Sequence, residues 1–298
     1  TGLPIQCART GIDALYCPAS SAPFNLSSKI GLVVTIHDIS YLRFPEHYSR
    51  SFAEYYKFVL PKIIKRADAI TTVSNTELKN IVEYFPEAST KISVVYPGIS
   101  KKFLNLGLER MPIILAVGSI NKHKNLTTLV KAFSQSIEYI PHKLIIVGGK
   151  RDIISSDSEL HIAIKRIPSD RIEIVGHISD EDLIKLYNKA EIFVFPSIFE
   201  GFGAVPLEAM ACGCAVIASN ASAIPEVCEH AAYYFDPKDV FSLTDAIILV
   251  AQDAALRESL FIAGKERSSL FSYKKTAEKI NELLNFSAHK AAIRTNHD

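Results

Sequence analysis

The chain has 298 residues, of which 48% are hydrophobic and 22% charged, and its formal net charge is +1. A chain this apolar can fill the cores of two domains of ordinary size, and its composition excludes an intrinsically disordered protein. The near-zero net charge argues against a general nucleic-acid-binding protein, which normally carries a large basic excess.

Short β-branched runs alternate with amphipathic stretches along the whole sequence, a pattern typical of a doubly wound α/β fold. The predicted strands are continuous apolar runs, which indicates parallel sheets that are buried on both faces. They lie at residues 14–16, 31–36, 69–73, 92–95, 113–117, 143–147, 172–175, 192–195, 215–218 and 232–235. Between them, Ser74 is predicted to cap a helix with Glu77 as its capping-box partner, and residues 180–189 form another helix.

A polar segment at residues 96–111 separates two halves of the sequence. We predict an N-terminal domain at 1–108, a second domain at 109–270, and a C-terminal helix and tail at 271–298. The helix at 273–284 can pack on either half, and the polar tail from Ala288 onward is expected to be loose.

The bulk features also bear on location. Residues 1–108 carry 12 Lys and Arg against 8 Asp and Glu, an excess that allows weak attraction to anionic lipid. No apolar run reaches the ~18 residues of a membrane span. The five cysteines include no Cys-x-x-Cys pair, which favours reduced, buried thiols of a cytoplasmic protein over a zinc site.

The strongest local signal is a strand, a glycine-containing loop and a helix between residues 192 and 213. The loop follows the strand, and the helix begins near Gly203 with Pro206 tolerated in its first turn. Free N–H groups and the positive end of the helix dipole make such a junction an anion site, suited to a diphosphate. Glu200 and Glu208 flank the junction, although their spacing alone is equally consistent with a capping acid and a surface acid.

Residues 196–213, PSIFEGFGAVPLEAMACG, resemble the two-glutamate motif of the retaining family 4 glycosyltransferases. The similarity continues upstream in Val117-Gly118-Ser119 and Lys124-Asn125-Leu126. In the first half it includes Thr35-Ile36-His37-Asp38 and residues 67–74. The resemblance covers nearly the whole chain and is strongest for bacterial mannosyltransferases of surface-polysaccharide assembly. It implies the GT-B fold, in which two Rossmann-like domains face a cleft, here with the N-terminal domain incomplete.

The resemblance implies roles for individual residues in binding a nucleotide-sugar donor. Lys124 binds the donor diphosphate, Glu208 the ribose, and Glu200 the transferred sugar. The strand end at Gly118 and Ser119 belongs to the same donor site. Backbone amides for the phosphates or the sugar come from Gly203, Ala204 and Val205.

Two further positions complete the expected site. The turn at Gly176-His177-Ile178 lies where the family seats the nucleotide base. His37 matches a histidine beside the anomeric centre, so His37, Glu200 and Lys124 are the predicted catalytic residues. The resemblance implies neither a metal ion nor a cofactor.

The implied reaction is transfer of a sugar, most simply mannose from GDP-mannose with a UDP-sugar as the other choice, to a glycan or lipid-linked acceptor with retention of configuration. This places the protein in polysaccharide or lipopolysaccharide synthesis, in the cytoplasm or peripherally at the inner membrane. Two departures stand out: Ser119 and His123 occupy positions where many relatives carry arginine. Together with the incomplete N-terminal domain, they leave open a non-catalytic relative that binds nucleotide or a partner, and a nucleotide-sugar 2-epimerase of the same fold. Val147-Gly148-Gly149 is too short for a dinucleotide fingerprint, which argues against a dehydrogenase.

Overall fold

The computed structural model describes residues 2–148 and 158–295. It divides into two compact units, one formed by Thr1–Gly98 with Tyr273–Asp298 and the other by Ile99–Ser272. The chain therefore passes from the first unit to the second after Gly98 and returns to the first at Tyr273. The C-terminal helix, which the sequence allowed on either half, packs in the first unit.

The first unit contains a parallel four-stranded sheet in which the strands follow chain order, β1-β2-β3-β4. Its strands are β1 (Ala14–Cys17), β2 (Gly31–Ile36), β3 (Ala69–Thr72) and β4 (Ile92–Val94). Its helices up to this point are α1 (Leu3–Thr10), α2 (Ser40–Arg43), α3 (Arg50–Arg66) and α4 (Asn75–Tyr84), with short 3-10 turns at Pro45–His47 and Pro86–Ala88. Strand β2 is buried along its full length, as its unbroken apolar sequence predicted.

The second unit contains a parallel six-stranded sheet of order β10-β9-β8-β5-β6-β7. Its strands are β5 (Met111–Val117), β6 (Lys143–Val147), β7 (Ile172–Val175), β8 (Ala190–Phe195), β9 (Ala215–Ser219) and β10 (Tyr233–Phe235). Its helices are α5 (Leu126–Ser136), α6 (Ser158–Lys165), α7 (Asp180–Lys189), α8 (Ala204–Ala211), α9 (Ile224–Cys228), α10 (Val240–Gln252) and α11 (Ala254–Ser269), with 3-10 turns at Lys122–Lys124 and Glu229–Ala231.

The predicted class, doubly wound α/β, is confirmed, and every predicted strand is present within one or two residues of its expected ends. The predicted helix starts are also confirmed. Ser74 accepts a hydrogen bond from the N–H of Glu77, and Ser179 accepts one from the N–H of Asp182. Both are N-caps that satisfy an otherwise unpaired amide of the first turn.

The expectation of a loose tail after Ala288 is wrong. Helix α12 runs continuously over Tyr273–Thr295. Its small residues pack tightly on the first unit's sheet: Ala291 is buried, and a Cβ added to Gly31 would lie 2.5 Å from the backbone carbonyl of Ser287. Near its end, Arg294 donates to both carboxylate oxygens of buried Asp68 at 2.9 and 3.1 Å. These contacts, rather than a long apolar stripe, hold the last turns in place.

Two predictions about the chain's bulk chemistry can be compared with the structure. All five cysteines are buried free thiols, as predicted. Within residues 2–148 and 158–295, no helix combines the length and the apolar character needed to cross a bilayer.

Candidate functional site

The sheet of the second unit has a topological switch point between β5 and β8. From β5 the chain builds outward through β6 and β7, and it then returns to β8 on the other side and continues through β9 to β10. The segments after β5 and β8 therefore diverge above two neighbouring strand ends and leave a crevice there, where open α/β sheets bind ligands. Gly118 follows β5 and Pro196 follows β8, so both predicted loops lie at this switch point.

Close backbone packing connects the ends of β5, β6 and β7. The N–H of Gly118 donates to the carbonyl of Val147 at 2.9 Å, and the N–H of Gly148 donates to that of Val175 at 3.0 Å. Gly148 has φ +101°, and a Cβ there would lie 2.4 Å from the carbonyl oxygen of Gly118. Only glycine meets both conditions. This packing places the Gly176–Ile178 turn, which follows β7, on the same sheet edge as Gly118, with His177 exposed.

Lys124 is held above the end of β5 by a short 3-10 turn. Its side chain packs over Gly118, whose added Cβ would lie 3.8 Å from the lysine Cδ. The next residue, Asn125, adopts a left-handed conformation with φ 56° and donates from its amide group to the carbonyl of Pro237 at 2.9 Å. The N–H of Ile198 donates to the carbonyl of His123 at 2.8 Å, so the turn is joined to the loop that follows β8.

The structure brings Lys124 and Glu200 into direct contact. Lys124 Nζ donates to Glu200 Oε1 at 2.5 Å, and both side chains are largely shielded from solvent. The same ammonium group lies 5.6 Å from the centroid of the Phe195 ring. The predicted diphosphate ligand and the predicted sugar ligand therefore neutralise each other while no donor is present.

Ser222 fixes the backbone of Glu200, and sequence reasoning missed this residue. Its hydroxyl donates to the carbonyl of Glu200 at 2.8 Å and lies 3.3 Å from the N–H of the same residue. Ser222 has φ 56°, an uncommon conformation for a residue other than glycine. A serine 22 residues away in sequence gives no local signal of this role.

Helix α8 begins next to the Lys124–Glu200 pair. Its N-cap, Gly203, has φ 92°, and an added Cβ would lie 3.6 Å from Phe195 and 4.0 Å from the Glu200 Cβ. The first turn contains no acidic residue. The amides at Ala204 and Val205 have no acceptor within the helix and carry its partial positive charge, so the junction is suited to an anion, as predicted.

Glu208 lies one turn into α8 and is half-buried. The hydroxyl of Tyr187 lies 3.5 Å from Glu208 Oε2, at the outer limit of hydrogen bonding. Burial raises the pKa of Glu208 to about 7; the nearby Asp180 adds to this effect, and the Tyr187 contact opposes it. Tyr187, fully buried against Phe103 and Phe193, is a second contributor that the sequence did not single out, because its position on α7 reads simply as a core residue.

His37 belongs to the first unit, where it follows strand β2. Its side chain is exposed, and its Nε2 lies 2.7 Å from the carbonyl oxygen of Pro18. Two residues later, the N–H of Ile39 donates to Glu77 Oε1 at 2.8 Å. Glu77 is fully buried, so the loop that carries His37 is anchored on both sides and presents the imidazole to solvent.

In the part of the chain that the structure describes, no cluster of three or more His, Cys, Asp or Glu side chains is arranged to hold a metal ion. The charged groups of the switch-point site are instead Lys124, Glu200 and Glu208. These are groups that can bind a phosphate and sugar hydroxyls directly.

Comparison with solved structures defines the class of protein. Sucrose-phosphate synthase from Thermosynechococcus elongatus is 25% identical, with a TM-score of 0.76 over 95% of this chain and 75% of that chain. The Anabaena protein Alr3699/HepE, solved with UDP and glucose, is 20% identical, with a TM-score of 0.78 over 96% of this chain and 82% of that chain. The fold is that of the GT-B glycosyltransferases.

The family follows from the sequence models. The model for glycosyl transferases group 1 matches residues 100–267, more than half of the chain, and the model for Glycosyltransferase Family 4 matches residues 6–103. The chain therefore belongs to the group 1, family 4 glycosyltransferases, as the residue motifs indicated.

Several relatives are bacterial mannosyltransferases. The O-antigen chain mannosyltransferase RfbU of Salmonella typhimurium is 33% identical over 77% of this chain and 64% of its own length. The O-antigen chain mannosyltransferase B of Escherichia coli is 30% identical over 84% of this chain and 69% of its own length. The serotype-specific mannosyltransferase WbdA of Escherichia coli is 28% identical over 87% of this chain and 33% of its own length. The chain thus spans from one third to about two thirds of these relatives.

Proposed function

We propose that this protein transfers mannose from GDP-mannose to a growing bacterial surface glycan. Relatives that carry the names of O-antigen and serotype-specific mannosyltransferases, at 28–33% identity, support this choice of sugar. The observation that carries the proposal is the meeting of Lys124, Glu200 and the start of helix α8 at the switch point of the second unit.

The donor diphosphate binds at the start of α8. It draws the Lys124 ammonium away from Glu200, because two phosphate charges outcompete one carboxylate for the same cation. The amides at Ala204 and Val205 hold the phosphate oxygens. The negative charge that develops on the leaving diphosphate is stabilised by these fixed groups without a metal ion.

The same exchange frees Glu200 for the sugar. Its carboxylate accepts hydrogen bonds from the mannosyl hydroxyls, and its backbone stays fixed by Ser222. Glu208, deeper in the site, accepts hydrogen bonds from the ribose hydroxyls. The base lies against the Gly176–Ile178 turn at the far end of the sheet edge.

The reaction retains the anomeric configuration. The acceptor oxygen bonds to the anomeric carbon on the face from which the diphosphate leaves, and the acceptor proton passes to the departing phosphate oxygen. Glu200 begins in an ion pair and Glu208 is engaged with ribose, so neither carboxylate is available as the nucleophile of a two-step route. His37 assists from the first unit, at the sugar and acceptor.

The test is a transfer assay with radiolabelled GDP-mannose and a membrane extract that contains lipid-linked glycans, with the linkage of the product determined by NMR. We expect an α-linked mannose in the glycan, and its loss with Lys124→Ala but not with Lys185→Ala, a lysine 60% exposed on α7. Donor binding without transfer or hydrolysis would favour the non-catalytic relative. Conversion of the free donor without acceptor would favour the epimerase.

A further inference from the structure

One face of helix α3, in the first unit, combines exposed aromatic rings with lysines. Tyr55, Phe58, Lys62 and Lys65 recur at helical spacing along it, and Phe58 and Tyr55 are 64% and 53% exposed. Opposite this stripe, Ala53, Val59, Leu60, Ile63 and Ile64 are buried against the sheet. The aromatic rings are therefore surplus to the core and form part of the protein's outer surface.

The exposed rings are grouped with a cation. Phe24, which precedes β2 and is 43% exposed, approaches the same stripe. Lys62 Nζ lies 3.3 Å from the centroid of the Phe58 ring and 5.4 Å from that of the Phe24 ring. Two exposed rings with an ammonium group between them form an amphipathic surface, unlike the isolated exposed apolar residues found on most proteins.

A basic recess continues this surface. It has a volume of about 490 Å³ and is lined by Pro61, Lys62, Lys65, Glu87 and Lys91. Lys91 is fixed in place, because its Nζ donates to the carbonyls of Lys65 and Ala67. Three of the lining side chains are lysines and one is a glutamate, so the recess favours an anion.

We infer that this surface, formed by Phe24, Tyr55, Phe58, Lys62, Lys65 and Lys91 and called here the aromatic–lysine face, docks on an anionic lipid bilayer. Aromatic rings settle at the level of the lipid headgroups, and each lysine near an anionic membrane adds about 1 kcal/mol of attraction. The acids on the same surface, Glu54 and Glu87, are outnumbered by the lysines, and residues 1–108 have an excess of positive charge. The inference concerns only the first unit, and it holds whether or not the donor site acts as proposed.

The sequence makes the docking directly measurable. The chain contains no tryptophan. Phe58→Trp therefore places a single fluorescent reporter on the aromatic–lysine face, and Phe241→Trp, at a phenylalanine that is 69% exposed on α10 of the second unit, is the matched control. With vesicles of phosphatidylglycerol and phosphatidylethanolamine, we expect the Phe58→Trp emission to shift to shorter wavelength and the Phe241→Trp emission to stay unchanged. With pure phosphatidylcholine vesicles, neither should shift.

Charge reversal provides the second arm. The pair Lys62→Glu and Lys65→Glu should weaken co-sedimentation with the anionic vesicles at least tenfold. The pair Lys185→Glu and Lys279→Glu, at exposed lysines elsewhere, should leave it within about twofold, with far-ultraviolet circular dichroism confirming that all variants fold. An unchanged Phe58→Trp emission, or equal losses from both lysine pairs, would overturn the inference. So would a lipid-independent dimer in sedimentation velocity that Phe58→Glu dissolves, since a second copy would then occupy this face.

Discussion

Lys124 and Glu200 lie 76 residues apart in the chain, yet the lysine ammonium donates to the glutamate carboxylate at 2.5 Å. Each residue has a separate task when a donor is bound, one on the diphosphate and one on the sugar. Their pairing in the empty site means that donor binding exchanges one ion partner for another. An exchange of this kind costs less than binding to an unpaired buried lysine would gain, because the lysine starts neutralised.

Removing only the carboxylate charge separates the two tasks. In Glu200→Gln, Lys124 no longer has to leave an anionic partner, so GDP, which has no sugar, should bind as tightly as in the wild type or more tightly. Transfer from GDP-mannose should fall, because the sugar loses a charged acceptor. Isothermal titration with GDP and the transfer assay give the two readouts, and a large loss of GDP affinity in this variant would contradict the exchange. Lys124→Ala should weaken GDP by roughly 10–100-fold, the range expected for loss of a charged hydrogen bond.

Donor affinity should depend on the protonation of Glu208. Burial raises the pKa of Glu208 to about 7, so the carboxylate that accepts from ribose is lost as the pH falls through that value. Binding of GDP-mannose, which has no phosphate that titrates in this range, should weaken below pH 7 by at most about tenfold per pH unit. Titration calorimetry between pH 5.5 and 8.5 measures this trend. In Glu208→Gln this dependence should disappear at a uniformly lower affinity, and a pH profile identical to that of the wild type would exclude Glu208 as its source.

Glu77 should make stability depend on pH with the opposite sign to an ordinary salt-bridged acid. Burial raises its pKa from an ordinary value near 4.5 to about 7, against the lowering effect of the Asn80 and Ile39 hydrogen bonds. Between these two pH values the native state binds more protons than the unfolded state, so the free energy of unfolding decreases as the pH rises. The decrease is on the order of 3 kcal/mol when complete.

The matched variant is Glu77→Gln, which resembles the protonated side chain. It should match the wild type in thermal stability near pH 5 and exceed it near pH 8. Parallel stability curves for the two proteins across this range would show that Glu77 does not titrate there.

A methyl group at Gly148 should disrupt the junction between the ends of β5 and β6. Gly148→Ala combines a positive φ with a Cβ 2.4 Å from the carbonyl oxygen of Gly118, and we expect a loss of roughly 3 kcal/mol or more. Gly107→Ala has φ +68° but no atom within 4 Å, so it isolates the conformational cost of roughly 1 kcal/mol. Chemical denaturation of the two variants measures the difference. Equal losses would show that the backbone relieves the clash.

The last turn of α12 should depend on the contact between Arg294 and Asp68. Asp68 is almost fully buried and retains the Leu32 amide and Arg66 as partners, so Arg294→Ala should cost roughly 1–3 kcal/mol rather than the full price of an unpaired buried charge. Amide hydrogen exchange at the end of α12 should accelerate in this variant. Lys279→Ala, which removes an exposed pair with Glu282 in the same helix, should change stability by less than about 0.5 kcal/mol and serves as the control.

The strands were predictable because each is an unbroken apolar run, and burial on both faces leaves few other ways to place such a run. The helix starts at Ser74 and Ser179 were predictable because capping is local chemistry. The end of α12 was not predictable in this way. Its buried positions, Ser287 and Ala291, are small, and the surface that buries them is supplied by Gly31 and its neighbours far away in sequence.

The same distinction applies to the site. Lys124, Glu200 and Glu208 could be identified because they lie in or beside recognisable strand–loop–helix segments. Their partners could not, because Tyr187 and Ser222 come from other elements and reach the site only through the fold. The ion pair between Lys124 and Glu200 likewise depends on the order of strands in the sheet, which brings the end of β5 beside the end of β8.

The central claim is that the switch point of the second unit binds a nucleotide-sugar donor, and a thermal-shift screen against GDP, UDP, ADP and their mannose or glucose conjugates tests it most directly. A ligand at a hundred times its dissociation constant stabilises the native state by about 2.7 kcal/mol, which corresponds to a shift of several degrees. We predict such a shift with GDP and GDP-mannose, its loss in Lys124→Ala and Glu208→Ala, and its persistence in Lys185→Ala. No shift with any nucleotide, or an equal shift in Lys124→Ala, would contradict the assignment of the donor site.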